Sequence, residues 1–327
     1  MKPNRRRLLA GAVALALAPA LVACGEEAQG SDSPAADRSS VVEEGAFPVT
    51  IEHKFGETEI EEAPERVVVV GLTDQDALLA LGTVPVGVTY WYGDKALGGI
   101  NVEKIPALAP DLIIGQYSGI TQKEYDLLSA LAPTVAQPGG YADYGAPWDE
   151  ATLTIGKAIG RPEAAVELVD GVKARIAEEA AAHPEFDGKS GVVVAPYEGL
   201  FVYGPQDPRN QILMQLGFEF PEGLLGAEGE EFGGSVSAER TAELEDVDVT
   251  VWLGLDTDEQ VKGVFETTSS FAEGRFVDID DSVTESYAVA HSFVSPLSIP
   301  YVLDRYVPQL AAAVDGDPAT EVPAGRD

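Results

Sequence analysis

The chain has 327 residues, 45% of them hydrophobic, and carries 21 basic against 55 acidic side chains for a net charge of −34. Such a surface repels phosphate-rich partners, which excludes a nucleic-acid-binding role, and the apolar content is ample for a core divided between two lobes. A single cysteine, Cys24, excludes an intramolecular disulfide.

Lys2, Arg5, Arg6 and Arg7 open the chain, and Leu8 to Leu21 follows without a charge. A basic start and a short, Ala-rich apolar run are the layout of a secretory signal, expected over residues 1–23, and too short for a membrane span. The run closes on Leu21-Val22-Ala23-Cys24, which resembles a bacterial lipobox; the resemblance implies acylation of Cys24 as the first mature residue. Arg5-Arg6-Arg7-Leu8-Leu9 also resembles a twin-arginine signal, and a plain basic start is the alternative. Without the four basic residues of this leader the balance is 17 basic against 55 acidic, or −38. Residues 24–46 are rich in Gly, Ser, Ala, Asp and Glu and are expected to form a disordered tether.

The first lobe is expected over 47–148. Val49, Ile51, Phe55 and Ile60, separated by polar residues around Gly56, predict a β-hairpin from Pro48 to Ile60. Arg66-Val67-Val68-Val69-Val70 is continuously apolar and predicts a buried parallel strand. Thr73-Asp74-Gln75-Asp76 predicts the cap of a helix through Ala77 to Leu81, stopped by Gly82. Further strands are expected at Val84 to Thr89, Asp111 to Gly115 and Thr134 to Ala136, an α/β pattern.

Linker helices are expected over 149–186. A helix from Trp148 to Ile159 stops at Gly160. Pro162 then suits the first position of a second helix, and Ala165, Val166, Val169, Val172, Ile176 and Ala177 recur at helical spacing to about Ala182. Twenty residues of helix give about 30 Å, a stiff strut ended by Pro184. The second α/β lobe is expected over 187–316, with strands at Gly191 to Ala195, Phe201 to Tyr203, Val249 to Leu253 and Arg275 to Asp278. Its helices are expected at Asn210 to Leu216 and Ile299 to Val314. Residues 317–327 are expected to be a flexible tail.

The lobes echo each other. Asn101-Val102-Glu103-Lys104 precedes the strand at Asp111, and Ser237-Ala238-Glu239-Arg240 precedes the strand at Asp248. Each echo places an acid in the first turn behind a cap, where the helix dipole favours it; two well-capped helices are the plain alternative.

Several segments in order carry a resemblance to a family. They are His53-Lys54-Phe55-Gly56-Glu57-Thr58-Glu59-Ile60, Pro64-Glu65-Arg66-Val67-Val68, Ala80-Leu81-Gly82-Thr83-Val84-Pro85-Val86-Gly87 and Leu108-Ala109-Pro110-Asp111-Leu112-Ile113-Ile114. Then come Ser118-Gly119-Ile120-Thr121 with Tyr125, Leu131-Ala132-Pro133-Thr134-Val135 and Ser295-Pro296-Leu297-Ser298. Together they resemble the iron–siderophore substrate-binding proteins of ABC importers, from Val49 to Val314. The resemblance implies two Rossmann-like α/β lobes joined by a single long helix, with the ligand in the cleft between them. It implies an exported receptor, lipid-anchored on the outer face of the cytoplasmic membrane, and not an enzyme. Its cargo would be a ferric siderophore, with haem or a cobalamin as the alternative ligand. It implies an ABC permease dimer with its ATPase as partner, the membrane met only through the lipid, a monomeric state and no cofactor. Glu103 and Glu239 fall where relatives carry one docking glutamate per lobe, each meeting a permease arginine. Two stretches depart from the pattern: Trp91 to Asn101 is short, and Phe265-Glu266-Thr267-Thr268 is more polar than expected.

Ligands of α/β lobes meet loops beyond the carboxyl ends of strands. The expected loops are aromatic: Tyr90, Trp91 and Tyr92, then Tyr117, Tyr141, Tyr144 and Trp148 on the first lobe. On the second they are Tyr197, Phe201, Tyr203, His291 and Phe293. Rings with polar tips suit a large organic complex with outward oxygens; burial in the core is the alternative, above all for Trp148 and Phe201. Arg209, after Gly204-Pro205-Gln206-Asp207-Pro208, offers a multi-donor cation, the alternative being a salt bridge with Asp207. The acidity and this single arginine favour a neutral or cationic hydroxamate complex over an anionic catecholate. There is no P-loop, GxSxG motif or cysteine pair. His53, His183 and His291 are too dispersed in sequence to suggest a direct metal site, so iron is expected to arrive chelated.

Overall fold

Alternation builds the first element. Strands β1 (Val49–His53) and β2 (Gly56–Ile60) pair antiparallel, from Val49 with Ile60 to His53 with Gly56. The inward face carries two polar residues, His53 and Thr58, beside Ile51 and Ile60. They are satisfied in series: the Phe55 N–H donates to His53 Nδ1 (3.2 Å), His53 Nε2 lies 3.0 Å from Thr58 Oγ1, and that hydroxyl donates to Thr134 O (2.7 Å). The hairpin is thereby fastened to the sheet behind it. In the computed structural model, residues 42–89, 101–197, 199–221, 223–224, 232–279 and 285–323 are described, the side chains of 285 and 286 excepted. All fall in one compact unit, Ser39–Asp327.

The continuous apolar runs become parallel strands. β3 (Val67–Val69), α1 (Asp74–Ala80), β4 (Gly87–Val88), β5 (Leu112–Gly115), α2 (Gln122–Ser129) and β6 (Thr134–Ala136) follow in order. Their sheet runs β4-β3-β5-β6, all parallel. Both faces are covered: Val67, Val69, Leu112 and Ile114 meet Leu78 and Ile155, while Val68, Val70 and Ile113 meet Ile105 and Leu128. That is why these runs do not alternate. Thr121 and Glu124 cap α2 reciprocally, a capping box.

Helices α3 (Trp148–Ala158) and α4 (Pro162–Ala182) follow. They pack closely enough that a Cβ on Gly156 would stand 2.2 Å from that of Ala165. Ala165 belongs to the first core, whereas Val169, Val172 and Ile176 belong to the second. One helix of 21 residues, about 30 Å long, therefore spans both cores.

The second sheet is mixed. β7 (Gly191–Pro196), β8 (Leu200–Tyr203), α5 (Pro208–Gln215), β9 (Gly233–Val236), β10 (Val249–Leu253), α6 (Glu259–Phe265), α7 (Ser269–Ala272), β11 (Phe276–Ile279), α8 (Glu285–Ser292) and α9 (Ser298–Val314) complete the chain. The order is β11-β10-β7-β8-β9, with β11, β10 and β7 parallel and β8 and β9 successively antiparallel. In the polar stretch at 265–268, Phe265 is fully buried and Thr268 caps α7, so the departure noted there serves packing.

Both presumed flexible ends are partly tied down. Glu43, inside the expected tether, accepts hydrogen bonds from Glu163 N (2.8 Å) and Ala164 N (3.0 Å). A carboxylate there satisfies orphan donors at the start of α4, whose own N-cap Arg161 provides no side-chain cap. In the expected tail, Gln309 Nε2 donates to Pro323 O (2.9 Å) and Val322 packs on the second core. Among the described residues no helix is long and apolar enough to cross a membrane.

Candidate functional site

A row of rings crosses from one lobe to the other. Tyr117, just past β5, stands edge-on to Tyr144 (6.3 Å between centroids), and Tyr144 faces Phe232 (6.4 Å). Phe232 then meets Tyr203 edge-on (6.1 Å), and Tyr203 meets Phe201 (4.8 Å). The guanidinium of Arg209 lies 3.7 Å from the centre of the Tyr203 ring. Tyr117, Tyr144, Tyr203 and Arg209 are thus brought together, with Phe201 beside them.

Local backbone chemistry sets the row. Tyr144 has φ +64°, a left-handed conformation that non-glycine residues seldom adopt. Its N–H donates to Ser118 O (3.1 Å). A Cβ on Gly119 would come within 2.8 Å of the Tyr144 ring, so only glycine leaves room for it. The loop carrying Tyr144 is held to the second lobe, because the Ala142 N–H donates to Gln206 Oε1 (2.8 Å) and Gln211 Nε2 to Gly145 O (3.4 Å). A second bridge joins the lobes where Ser295 Oγ donates to Asp76 Oδ2 (2.6 Å).

Arg209 sits at the start of α5, largely buried. Its Nε donates to Asp207 Oδ1 (2.8 Å) and its Nη2 to Oδ2 (2.6 Å), while its backbone N–H donates to the same carboxylate (2.9 Å). The salt bridge raised from sequence as the alternative for Arg209 is therefore present. Burial opposes the charge, but the adjoining Asp207 carboxylate outweighs it and holds the guanidinium protonated. Nη1 makes no hydrogen bond among the described residues.

His291 adjoins Arg209 but stands in the last turn of α8, not in a loop; it is 2% exposed and edge-on to Tyr306 at 4.7 Å. Burial, and then the positive charge of Arg209, push it down to about 3, so it is neutral. It belongs to a core face shared with Tyr287, one helical turn earlier on α8. Trp148 is also core, 4% exposed. Tyr141 donates to Glu150 Oε1 (2.6 Å), and that bond, then burial, pushes its hydroxyl up to about 12. Tyr197 is 63% exposed; β8 runs antiparallel to β7, so Tyr197 and Tyr203 lie at opposite ends of β8. Phe293 is half-buried just before the Ser295 bridge. Tyr90, Trp91, Tyr92 and Cys24 lie outside the described residues. Phe232 escaped the sequence reading.

A cavity of about 20 Å³ is lined by residues of both lobes, among them Asp74, Tyr117, Trp148, Pro208 and Ser295. It admits about one water and is far too small for an organic iron complex. Asp74 is buried there and accepts from Gln116 N (2.6 Å) and Tyr117 N (3.0 Å). Burial raises its carboxyl from 3.8 to about 6, against the pull of those two N–H groups. A raised folded-state value means that this group's contribution to stability is complete below its unfolded value and lost as pH rises through about 6. Melting temperature should therefore rise between pH 7 and pH 5 by more in the wild type than in Asp74→Asn. Equal pH slopes would rule Asp74 out as the titrating group.

The two echoed glutamates are both exposed, each in the first turn of a 3₁₀ segment, Val102–Leu108 and Ala238–Asp246. Asp111 accepts from Glu65 N and Arg66 N at the foot of β3, and Asp248 accepts from Ser190 N at the foot of β7. The echo is thus structural as well as sequential. Among the described residues no group of three or more His, Cys, Asp or Glu side chains is placed to hold a metal ion.

Two α/β lobes on one spanning helix, with a ring-lined contact between them, are the architecture of a two-lobed solute-binding protein. The chain belongs to the periplasmic binding protein family, whose model matches residues 67–277. It is 31% identical over 242 residues to the putative ABC transporter substrate-binding lipoprotein YhfQ of Bacillus subtilis, covering 64% of this chain and 72% of that one. It is 31% identical to the probable siderophore-binding lipoprotein YfiY of the same organism, covering 53% of this chain and 58% of that one. Among solved structures, Streptococcus pneumoniae PiaA in complex with ferrichrome superposes with a TM-score of 0.71 at 29% identity, covering 82% of this chain and 99% of that one.

Proposed function

We propose that this protein is the extracytoplasmic receptor of an ABC importer and captures an intact ferric siderophore, of hydroxamate type, for delivery to a permease dimer and its ATPase. The observation that carries the reading is the row Tyr117, Tyr144, Phe232, Tyr203 with Arg209 on its flank. Aromatic faces bury the organic shell of a chelate and their hydroxyls meet its oxygens; a guanidinium adds donors. The likeness to a ferrichrome complex supports the hydroxamate class. Tyr90, Trp91, Tyr92, Tyr141, Tyr197 and Phe293 are proposed as further ligand-binding residues. Iron is cargo, held by the siderophore and not by protein ligands. The anchor is a lipid on Cys24 after removal of residues 1–23, in keeping with the two lipoprotein relatives, and the protein acts as a monomer. Glu103 and Glu239 dock on the permease.

Titration with ferrichrome, a ferric tris-catecholate, haem and cobalamin side by side tests this. Ferrichrome should bind with quenching of tryptophan fluorescence. Tyr203→Ala should weaken it by about 1–3 kcal/mol, the range for loss of a packed aromatic anchor. Saturable binding of haem or cobalamin with no response to either ferric complex would overturn the ligand and leave the fold untouched.

A further inference from the structure

The cation on the flank of the ring row is already neutralised from within. Asp207 is 0% exposed and holds Arg209 through both carboxylate oxygens. One edge of the guanidinium is therefore committed to the protein and one face to the Tyr203 ring. We infer that Asp207 is a specificity-determining residue: it fixes the orientation of Arg209 and cancels its charge, so that the site selects electrically neutral ferric complexes and discriminates against anionic ones. The inference rests on the ferric-siderophore reading and goes further by naming the residue that sets the charge class.

The geometry supports a positioning role over a merely structural one. Asp207 is also the N-cap of α5, accepting the Arg209 N–H. That duty alone needs one oxygen and would be met by Asn or Ser. The second oxygen is spent wholly on Nη2 at 2.6 Å. The pair is bidentate, which fixes the guanidinium in rotation as well as position. Nη1 is left to act as a directed donor whose positive charge is balanced locally. A neutral donor arrangement suits chelate oxygens that carry no net charge. An anionic complex would gain from a bare guanidinium, and here it would meet the Asp207 carboxylate next to it. Behind the pair, His291 is neutral and adds no compensating charge. The other rings close enough to feel its charge are those of Tyr203, Tyr117 and Tyr306.

Asp207→Asn keeps the cap and removes the charge. Ferrichrome, which is neutral, and ferric dicitrate, which is anionic, are titrated against the wild type and the variant. The wild type should prefer ferrichrome. In Asp207→Asn the preference should move toward ferric dicitrate by about tenfold or more, a change in the ratio of affinities that general loosening would not give. Asp207→Asn combined with Arg209→Gln removes both charges and should return the ratio to near that of the wild type; it also serves where the single variant fails to fold. An unchanged ratio in Asp207→Asn, or a double variant whose ratio departs from that of the wild type, would overturn the inference. A wild type that binds neither complex would bring down the ferric-siderophore reading, and this inference with it.

Discussion

Reversing both exposed glutamates, Glu103→Arg with Glu239→Arg, is expected to bring import close to zero while ligand affinity and melting temperature stay where they were. Each acid stands on a short 3₁₀ segment whose far end is clamped by the arginine that immediately precedes a strand of its own lobe. Arg66 donates to Leu108 O (2.6 Å) and Ala109 O (3.0 Å) at the end of the first segment. Arg275 donates to Val247 O and to Glu245 O (3.0 Å) at the end of the second. The carboxylates are therefore held on fixed supports in equivalent places, one per lobe. Hydrogen bonds from its own backbone N–H and then from Ser237 keep the Glu239 carboxyl below the usual range, so it is ionised. An exposed ion pair is worth roughly 0–1 kcal/mol, so single Ala substitutions should slow uptake only modestly. Two like-charge contacts in one interface oppose docking by several kcal/mol. Uptake of radiolabelled iron at normal rates by the double variant would refute the docking assignment.

The elements that sequence revealed were those with a one-dimensional signal. β3, β5 and β7 are short apolar runs buried on both faces, and α4 shows its period over 21 residues and opens on Pro162. The echo of Glu103 and Glu239 was legible because the turns carry the same cap-and-acid order. β9 was not legible: Gly233-Gly234-Ser235-Val236 has little strand propensity and exists because β8 offers it an edge. Phe232 was missed for the same reason. It reaches Tyr203 only through the pairing of Tyr203 with Gly233, a register no local pattern encodes. His291 was grouped with the aromatic loop residues of the second lobe, whereas it stands on α8. The spacing from Tyr287 to His291 already set both on one helix face, and that face is turned to Tyr306 on α9. Chain order locates a loop, whereas which side of a helix meets the core depends on partners far away in sequence.

Arg209→Ala is expected to cost about 3–5 kcal/mol of folding stability, the range for breaking a buried ion pair by removing one member. The loss arises from what remains. Asp207 would keep only the Arg209-position backbone N–H as a partner, and its second oxygen would stay buried without a donor. Adding Asp207→Asn should return much of the loss at neutral pH, because a neutral amide is far cheaper to bury than a lone carboxylate. The recovery should stop short of complete, since the contact of the guanidinium with the Tyr203 ring at 3.7 Å is also gone, worth about 0.5–2 kcal/mol. Urea denaturation of the wild type, Arg209→Ala and the double variant at about pH 7 measures both the deficit and the recovery. A deficit below about 1 kcal/mol in Arg209→Ala, or no recovery in the double variant, would mean that water reaches this carboxylate freely. In that case the pair would be a surface contact, and the orientation of Arg209 in the ring row would rest on Tyr203 alone.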